Sequence, residues 1–319
     1  MFGRIKRFLK QNTTYGKTRY LNFLYRYDLN RYFKYSATNR SDAASIATEI
    51  RLLVHALEKG LSNKVPKQGF GEEKARLLLK LMDSYRASCD DPDPQVLLLA
   101  ESTLHSYSTY KNSCNEALSF LPDTLKSSIP AGATLYSGTD MREFEVIART
   151  RHSIREFSDI PVSRESLTQA ISLAQTAPSA CNRQPCHVFA CLNKEKNKKI
   201  MARHGGTSGF TDPGAILVLT GDLVLYKGEY ERNLVFFDGG IFMMNLLYSL
   251  GCYNLASCPI IWGAEPDNDS FLYDLLNIPP QHEILGLVMV GNHPDHPVKI
   301  PVSYKRDTRD ILHFIDNHT

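Results

Sequence analysis

Residues 215–220 read Ala-Ile-Leu-Val-Leu-Thr. A run this short suits a strand rather than a helix, and a strand without a polar face must be covered on both sides. Ala215–Thr220 is therefore expected to be a buried strand. The segments around it alternate. Ser163 caps a helix carrying Leu167, Ile171 and Ala174, and residues 186–192 form a strand candidate. A long apolar helix over 232–250 is expected to stop at Gly251, and residues 252–257 and 284–290 supply two more strands. Asp140-Met-Arg-Glu143 resembles a capping box opening a helix to Thr150. No Gly-rich turn joins a first strand to a first helix, so a Rossmann dinucleotide site is not supported.

The chain ahead of residue 140 has a different texture. From Ser41 to about Cys114 the apolar period is helical. Ile46, Ile50, Leu53 and Leu57 define one helix, for which Gly60 is the expected stop. A second helix is predicted from Glu72 to about Ala87. A third follows Pro94, with Asp91 and Asp93 placed for its N-terminus. Residues 121–138, with two prolines and several Ser, Thr and Gly residues, read as a linker. The organisation expected is a basic aromatic arm (1–40), a helical N-terminal domain and linker (41–139), and an α/β part (140–319).

Charge sets the arm apart. Residues 1–40 hold ten Lys or Arg against Asp28 alone, a net +9, so the remainder carries about −6 of the chain's overall +3. Phe2, Ile5, Phe8 and Leu9 share a helical face opposite Arg4, Lys6, Arg7 and Lys10. Such a helix can pack on its own body or a second subunit, or lie on an anionic membrane surface through residues 1–12. No nucleic-acid motif accompanies the basic residues, so no nucleic-acid partner is expected. The start lacks an apolar h-region, and no stretch of about 18 apolar residues occurs, so neither a secretory signal nor a membrane span is expected. The seven cysteines contain no CxxC pair and are expected as buried free thiols in a reducing cytoplasm.

Two clusters carry chemistry. In Arg151-His152-Ser153-Ile154-Arg155-Glu156-Phe157, an extended backbone points residues 151, 153 and 155 the same way. Two guanidiniums and a hydroxyl so placed form a comb suited to a phosphate. In Thr176-Ala-Pro178-Ser179-Ala-Cys181-Asn182-Arg183-Gln184-Pro185, prolines bracket a loop rich in amides. Asn and Gln both donate and accept, which suits the alternating edge of a heterocycle. His293 and His296 look like a metal pair but lack a third ligand, so no metal is expected there.

Together the clusters resemble the FMN-dependent nitroreductase family, whose members carry R-x-S-x-R/K-x-F and, about 25 residues later, A-P-S-x-x-N-x-Q-P. The resemblance continues through Asp238-Gly239-Gly240, Ser257-Cys258-Pro259-Ile260, Val290-Gly291 and the closing residues 303–312, covering roughly 140–319. It implies an α+β fold, a mostly antiparallel sheet flanked by helices, here preceded by a helical domain. It also implies an FMN-dependent oxidoreductase in which hydride passes from NADH or NADPH through flavin N5 to a small electrophilic acceptor. By the same resemblance Arg151, His152, Ser153 and Arg155 hold the phosphate and ribityl or the pyrimidine edge. Pro178, Ser179 and Asn182 run along the isoalloxazine. Cys258, Pro259 and Ile260 pass N5 with backbone donors, and Lys305 and Arg306 reach the phosphate. A homodimer with FMN at its interface is implied.

Three departures stand out: Cys186 replaces the usual aromatic, Ile261-Trp262-Gly263 replaces an acidic-glycine pair, and the region near His204-Gly205-Gly206 lacks the family's Asn- and Lys-bearing segment. They leave open a specialised biosynthetic flavoenzyme, such as a dehydrogenase or reductive dehalogenase, or a non-enzymatic partner protein. Tyr253, Tyr304 and His187 are candidate auxiliary acids or bases.

Overall fold

In the structure, a computed structural model, the run at 215 is the inner part of a four-stranded sheet. Residues 14–63, 66, 69–134, 142–207, 209–263, 265–300, 305 and 307–315 are described. The amphipathic segment 1–12, the first residues of the capping-box motif, Tyr304 and Arg306 lie outside them.

Strands β1 (Cys186–Cys191), β2 (Ala215–Asp222), β3 (Leu255–Ile260) and β4 (His282–Asn292) pair in the order β1-β2-β4-β3, every neighbour antiparallel. Alternation along β2 explains why the run has no polar face. Leu217 and Leu219 join Val288 and Val290 beneath helices α6 (Arg164–Ala174) and α8 (Leu234–Cys252). Ile216 and Val218 point the other way, onto Ile200 of α7 (Lys194–His204) and Leu272 of α9 (Pro266–Leu276). The sheet is thus covered on both faces. Ser163 caps α6 as expected, its Oγ accepting from the Glu165 and Ser166 amides.

The span Glu229–Cys252, which contains α8, is long and apolar enough to cross a membrane by length and composition alone, where no such stretch was expected. Its Phe242, Leu246, Leu247 and Leu250 are instead core side chains under the sheet. The helix also runs past its expected stop, through Gly251 to Cys252. Cys252 is therefore helical, and the next strand starts only at Leu255, after Asn254 turns the chain at φ 55°.

The N-terminal part is helical: α1 (Thr14–Tyr35), α2 (Ala43–Leu61), α3 (Glu72–Ser88) and α4 (Pro94–Ser113), with α5 (Arg142–Thr150) after the irregular segment at 121–134. Helices α2 to α4 share a core containing Ile50, Leu57, Leu78, Leu104 and Tyr107. Gly60 does not end α2; it lies inside the helix because the Phe70 ring packs against it. A Cβ there would meet Phe70 Cε2 at 2.2 Å. Asp93 caps α4 through the Gln95 amide, while Pro94 occupies the first turn, where its missing N–H costs nothing.

This helical layer is bonded to the α/β layer. Arg31 is buried and donates to Glu283 Oε2 at 3.2 Å and to the His282 carbonyl at 2.7 Å. Tyr32 Oη donates to the Gly228 carbonyl, the Ala37 amide to the Tyr226 carbonyl, and Thr48 Oγ1 to the Val224 carbonyl. Burial is the largest influence on Glu283, pushing its carboxyl up to about 7 against the pull of Arg31.

Candidate functional site

The segment after α5 is extended and fastened to β3 and to the end of β4. The Ile154 amide donates to the Ser257 carbonyl at 2.9 Å, and the Ser158 amide to the Asn292 carbonyl at 3.0 Å. Ile154 and Phe157 turn inward onto Ala256, Cys258 and Met289. Phe157 packs so closely on Gly291 that a Cβ there would lie 2.6 Å from its ring.

The comb is brought together. Burial raises the Cys258 thiol, while Arg155, a hydrogen bond with Ser153 and Arg151 act in the opposite direction. All three teeth therefore act electrostatically on the same thiol. Arg155 is partly occupied, donating to the Ser153 carbonyl at 3.2 Å and stacking 5.6 Å from the Phe210 ring centroid. Arg151 Nη1 is buried and has no hydrogen-bond partner among the described residues. A buried guanidinium nitrogen left unpaired is costly, so an anionic or carbonyl acceptor there would recover free energy. Arg151 and His152 line a cleft of about 350 Å³ with Tyr248, Ser257 and His293. These donors fit a phosphate group.

Pro259 carries no N–H and stands on an edge strand, where proline is tolerated, so it offers no backbone donor in the 258–260 segment. Pro259 is exposed and Ile260 half-buried. Lys305 is exposed. His296 pairs with Glu156 Oε1 at 2.6 Å.

The amide loop is held by groups distant in sequence. Cys181, Asn182 and Gln184 all have positive φ, at 52°, 51° and 52°. Such conformations cost about 1–3 kcal/mol each and persist only where the surroundings impose them. Asp238 of α8 accepts from the Ala180 amide at 3.0 Å and from Tyr226 Oη at 2.8 Å. Ser179 Oγ accepts from the Gln184 amide at 2.9 Å. Arg183, only 2% exposed, forks onto Glu231 at 2.6 and 3.0 Å and donates to the Ala180 carbonyl at 3.0 Å. The supporting roles of Glu231, Tyr226 and Asp238 depend on contacts across 12 to 58 residues and leave no local pattern.

The loop and the comb do not face a common space within one chain. Pro178 and Ser179 line a cavity of about 160 Å³ with Cys186 and Phe242. Asn182 lines a cleft of about 760 Å³ between the helical layer and the sheet. The lining of neither includes Arg151 or His152. Among the cysteines, only Cys191 and Cys258 are fully buried; Cys114 and Cys252 are exposed, contrary to the reading of the set as buried. Burial and Asp238 push the Cys186 thiol up to about 12, which leaves it a poor nucleophile.

A sequence model described as the Nitroreductase family matches residues 148–206, which hold both clusters. The chain is 29% identical over 164 residues to the FMN reductase (NAD(P)H) of Bacillus subtilis strain 168, covering 47% of this chain and 65% of that protein. It is 31% identical over 126 residues to the CLA biosynthesis enone reductase of Lactiplantibacillus plantarum, covering 37% of this chain and 54% of the relative. A solved nitroreductase family protein from Streptococcus pneumoniae TIGR4 superposes with a TM-score of 0.44 at 19% identity, over 54% of this chain and 99% of its own. The region that holds both clusters is thus similar in sequence to the Nitroreductase family.

Proposed function

We propose that this protein is an FMN-dependent NAD(P)H oxidoreductase that reduces a small electrophilic acceptor. The observation that carries the reading is Arg151 Nη1, buried and without a hydrogen-bond partner among the described residues, in a cleft that His152 also lines. Arg151, His152, Ser153 and Arg155 would hold the phosphate and ribityl, with Lys305 and Arg306 closing on the phosphate. Pro178, Ser179 and Asn182 would line the ring, and the 258–260 segment would pass its reactive edge. When bound, FMN supplies the two-electron chemistry between nicotinamide and acceptor. The protein's part is to hold the group, keep the amide loop rigid through Arg183 and Asp238, and place cationic donors where negative charge develops. The name of the Bacillus relative supports both FMN and NAD(P)H, and that of the enone reductase supports an electrophilic acceptor.

The working form in this proposal is a homodimer. The comb and the amide loop open into separate cavities of one chain, so a second copy is needed to bring the two motifs to one ligand. Phe236 and Phe237 are exposed side by side on α8, an apolar surface suited to a copy of the same chain. The cleft walled by the helical layer also favours the narrower reading of a specialised flavoenzyme, since a bare nitroreductase-family domain has no such wall. We place the protein in the cytoplasm, with residues 1–12 available for contact with an anionic membrane surface. Deleting them should abolish flotation with anionic liposomes, and equal flotation with and without them would remove that contact.

The deciding experiment is purification followed by spectroscopy. The protein should be yellow, or become so with FMN, and NADH or NADPH should bleach it anaerobically. The double variant Arg151→Ala, Lys305→Ala should lose most of its flavin. A colourless protein that FMN cannot reconstitute would overturn the proposal, and unchanged flavin in the double variant would remove the phosphate assignment.

A further inference from the structure

The sheet holds a second cluster, of which the flavin reading names only His187, as a candidate auxiliary acid or base. His187 on β1, Asp222 at the end of β2 and His282 at the start of β4 present ligand atoms within 4.8 Å of one another. Their convergence follows from strand register. His187 pairs with Thr220 and Asp222 with His282, and Thr220 and Asp222 are two residues apart, so the four side chains share one sheet face. A register shift between Leu219 and Thr220 re-aims this end of β2 against β4. The two imidazole centroids are 4.7 Å apart.

Each group is held in a state that leaves a ligand atom free. His282 Nδ1 is engaged by Thr220 Oγ1 at 2.9 Å, which orients the ring and leaves Nε2 available. Its backbone is pinned as well, since both Arg31 and Tyr273 donate to its carbonyl at 2.7 Å. Asp222 Oδ1 accepts from the Val224 amide at 3.0 Å, leaving Oδ2. The arginines nearest this carboxylate have partners of their own: Arg40 bonds Asp42, and Arg51 lies 3.5 Å from Asp93. His187 is exposed and can rotate.

We infer that His187, Asp222 and His282 form a binding site for a divalent first-row transition ion of the zinc class. Two imidazoles and a carboxylate suit such an ion, and hard cations such as Mg²⁺ favour all-oxygen sites instead. Bond lengths of about 2.0–2.2 Å bring tetrahedral ligand atoms to roughly 3.3–3.6 Å from one another, a closure of about an ångström that rotation of the His187 ring supplies. Three protein ligands leave a coordination position open. His187 and Asp222 line the cleft of about 760 Å³ that Arg51 and Gln95 wall from the helical side, so the open position faces that cleft. An oxygen donor on a molecule in the cleft is what it would take. None of these three residues belongs to the comb, so the site stands or falls independently of FMN.

The test uses the full-length protein, as purified and after chelator treatment. Zn²⁺ alone is titrated by calorimetry, and Co²⁺ alone by its d–d absorption. One equivalent should bind, with tetrahedral-type cobalt bands and no thiolate charge-transfer band. His187→Ala removes an exposed side chain and should weaken binding at least 100-fold with an unchanged circular dichroism spectrum. His296→Ala, Cys114→Ser and Cys252→Ser should leave binding as it was. The inference is overturned if no equivalent binds, if His187→Ala binds as tightly as the parent, or if any of the three surface controls abolishes binding.

Discussion

Asp269 offers the most direct quantitative test of this structure. It lies in the first turn of α9, is 3% exposed, and accepts a hydrogen bond at 3.2 Å from the indole of Trp262, the chain's only tryptophan. Burial pushes its carboxyl from 3.8 up to about 6, with Asp28 adding to the rise and Trp262 and Arg31 working against it. The folded state therefore binds this proton more tightly than the unfolded chain, and stability is lost as pH rises from 3.8 through about 6. A shift of that size corresponds to about 3 kcal/mol. Asp269→Asn keeps an oxygen for the indole N–H and removes the titration. Urea unfolding at pH 4, 5, 6 and 7, followed by Trp262 fluorescence and circular dichroism, should show the parent losing about 2 kcal/mol relative to the variant between pH 4 and 7. The native emission of the parent should shift with a midpoint near 6, and that of the variant should not. Glu283 titrates in both proteins and is itself raised by Asp269, so the difference between them reads Asp269 together with that coupling. The His204 ring is 6.3 Å from the indole, so the emission titration is repeated in a His204→Gln background. Parallel stability curves for parent and variant would refute the reasoning.

Arg151→Ala alone should weaken FMN binding by about 10- to 100-fold, the worth of a charged hydrogen bond, read by fluorescence recovery of released flavin. Gly60→Ala should destabilise the helical layer by about 1–3 kcal/mol in urea unfolding, because its Cβ meets the Phe70 ring. Arg183→Met should cost about 3–5 kcal/mol by stranding the Glu231 carboxylate, and adding Glu231→Gln should restore part of that loss.

What was legible in the sequence was what is local. The apolar run at 215, the caps at Asp93 and Ser163 and the comb at 151–155 each depend on residues a few positions apart, and their backbone places them directly. Gly60 and Gly251 show where local reading fails. A glycine after an apolar stripe has the same appearance whether it ends a helix or admits a neighbouring ring, and only the position of Phe70 distinguishes the two at Gly60. The strand expected at Cys252 moved because the Asn254 turn, not the apolar composition, fixes where extended backbone begins. The supports of the amide loop and the His187, Asp222, His282 cluster were invisible for a further reason. They are assembled by strand register and by helix docking, and no spacing within one segment encodes them.

The hydrogen bonds that seat the helical layer on β4 and on the turn after β2 have a further consequence. One wall of the large cleft belongs to the helical layer and the other to the sheet, and Thr48, Ala37 and Arg31 set the distance between them. The aperture is therefore a docking distance rather than a property of either layer. Substitutions at the seam can tune which molecules enter without altering a single residue of the comb or the amide loop. On the proposed function, acceptor choice and cofactor retention can then change separately, each on its own set of positions.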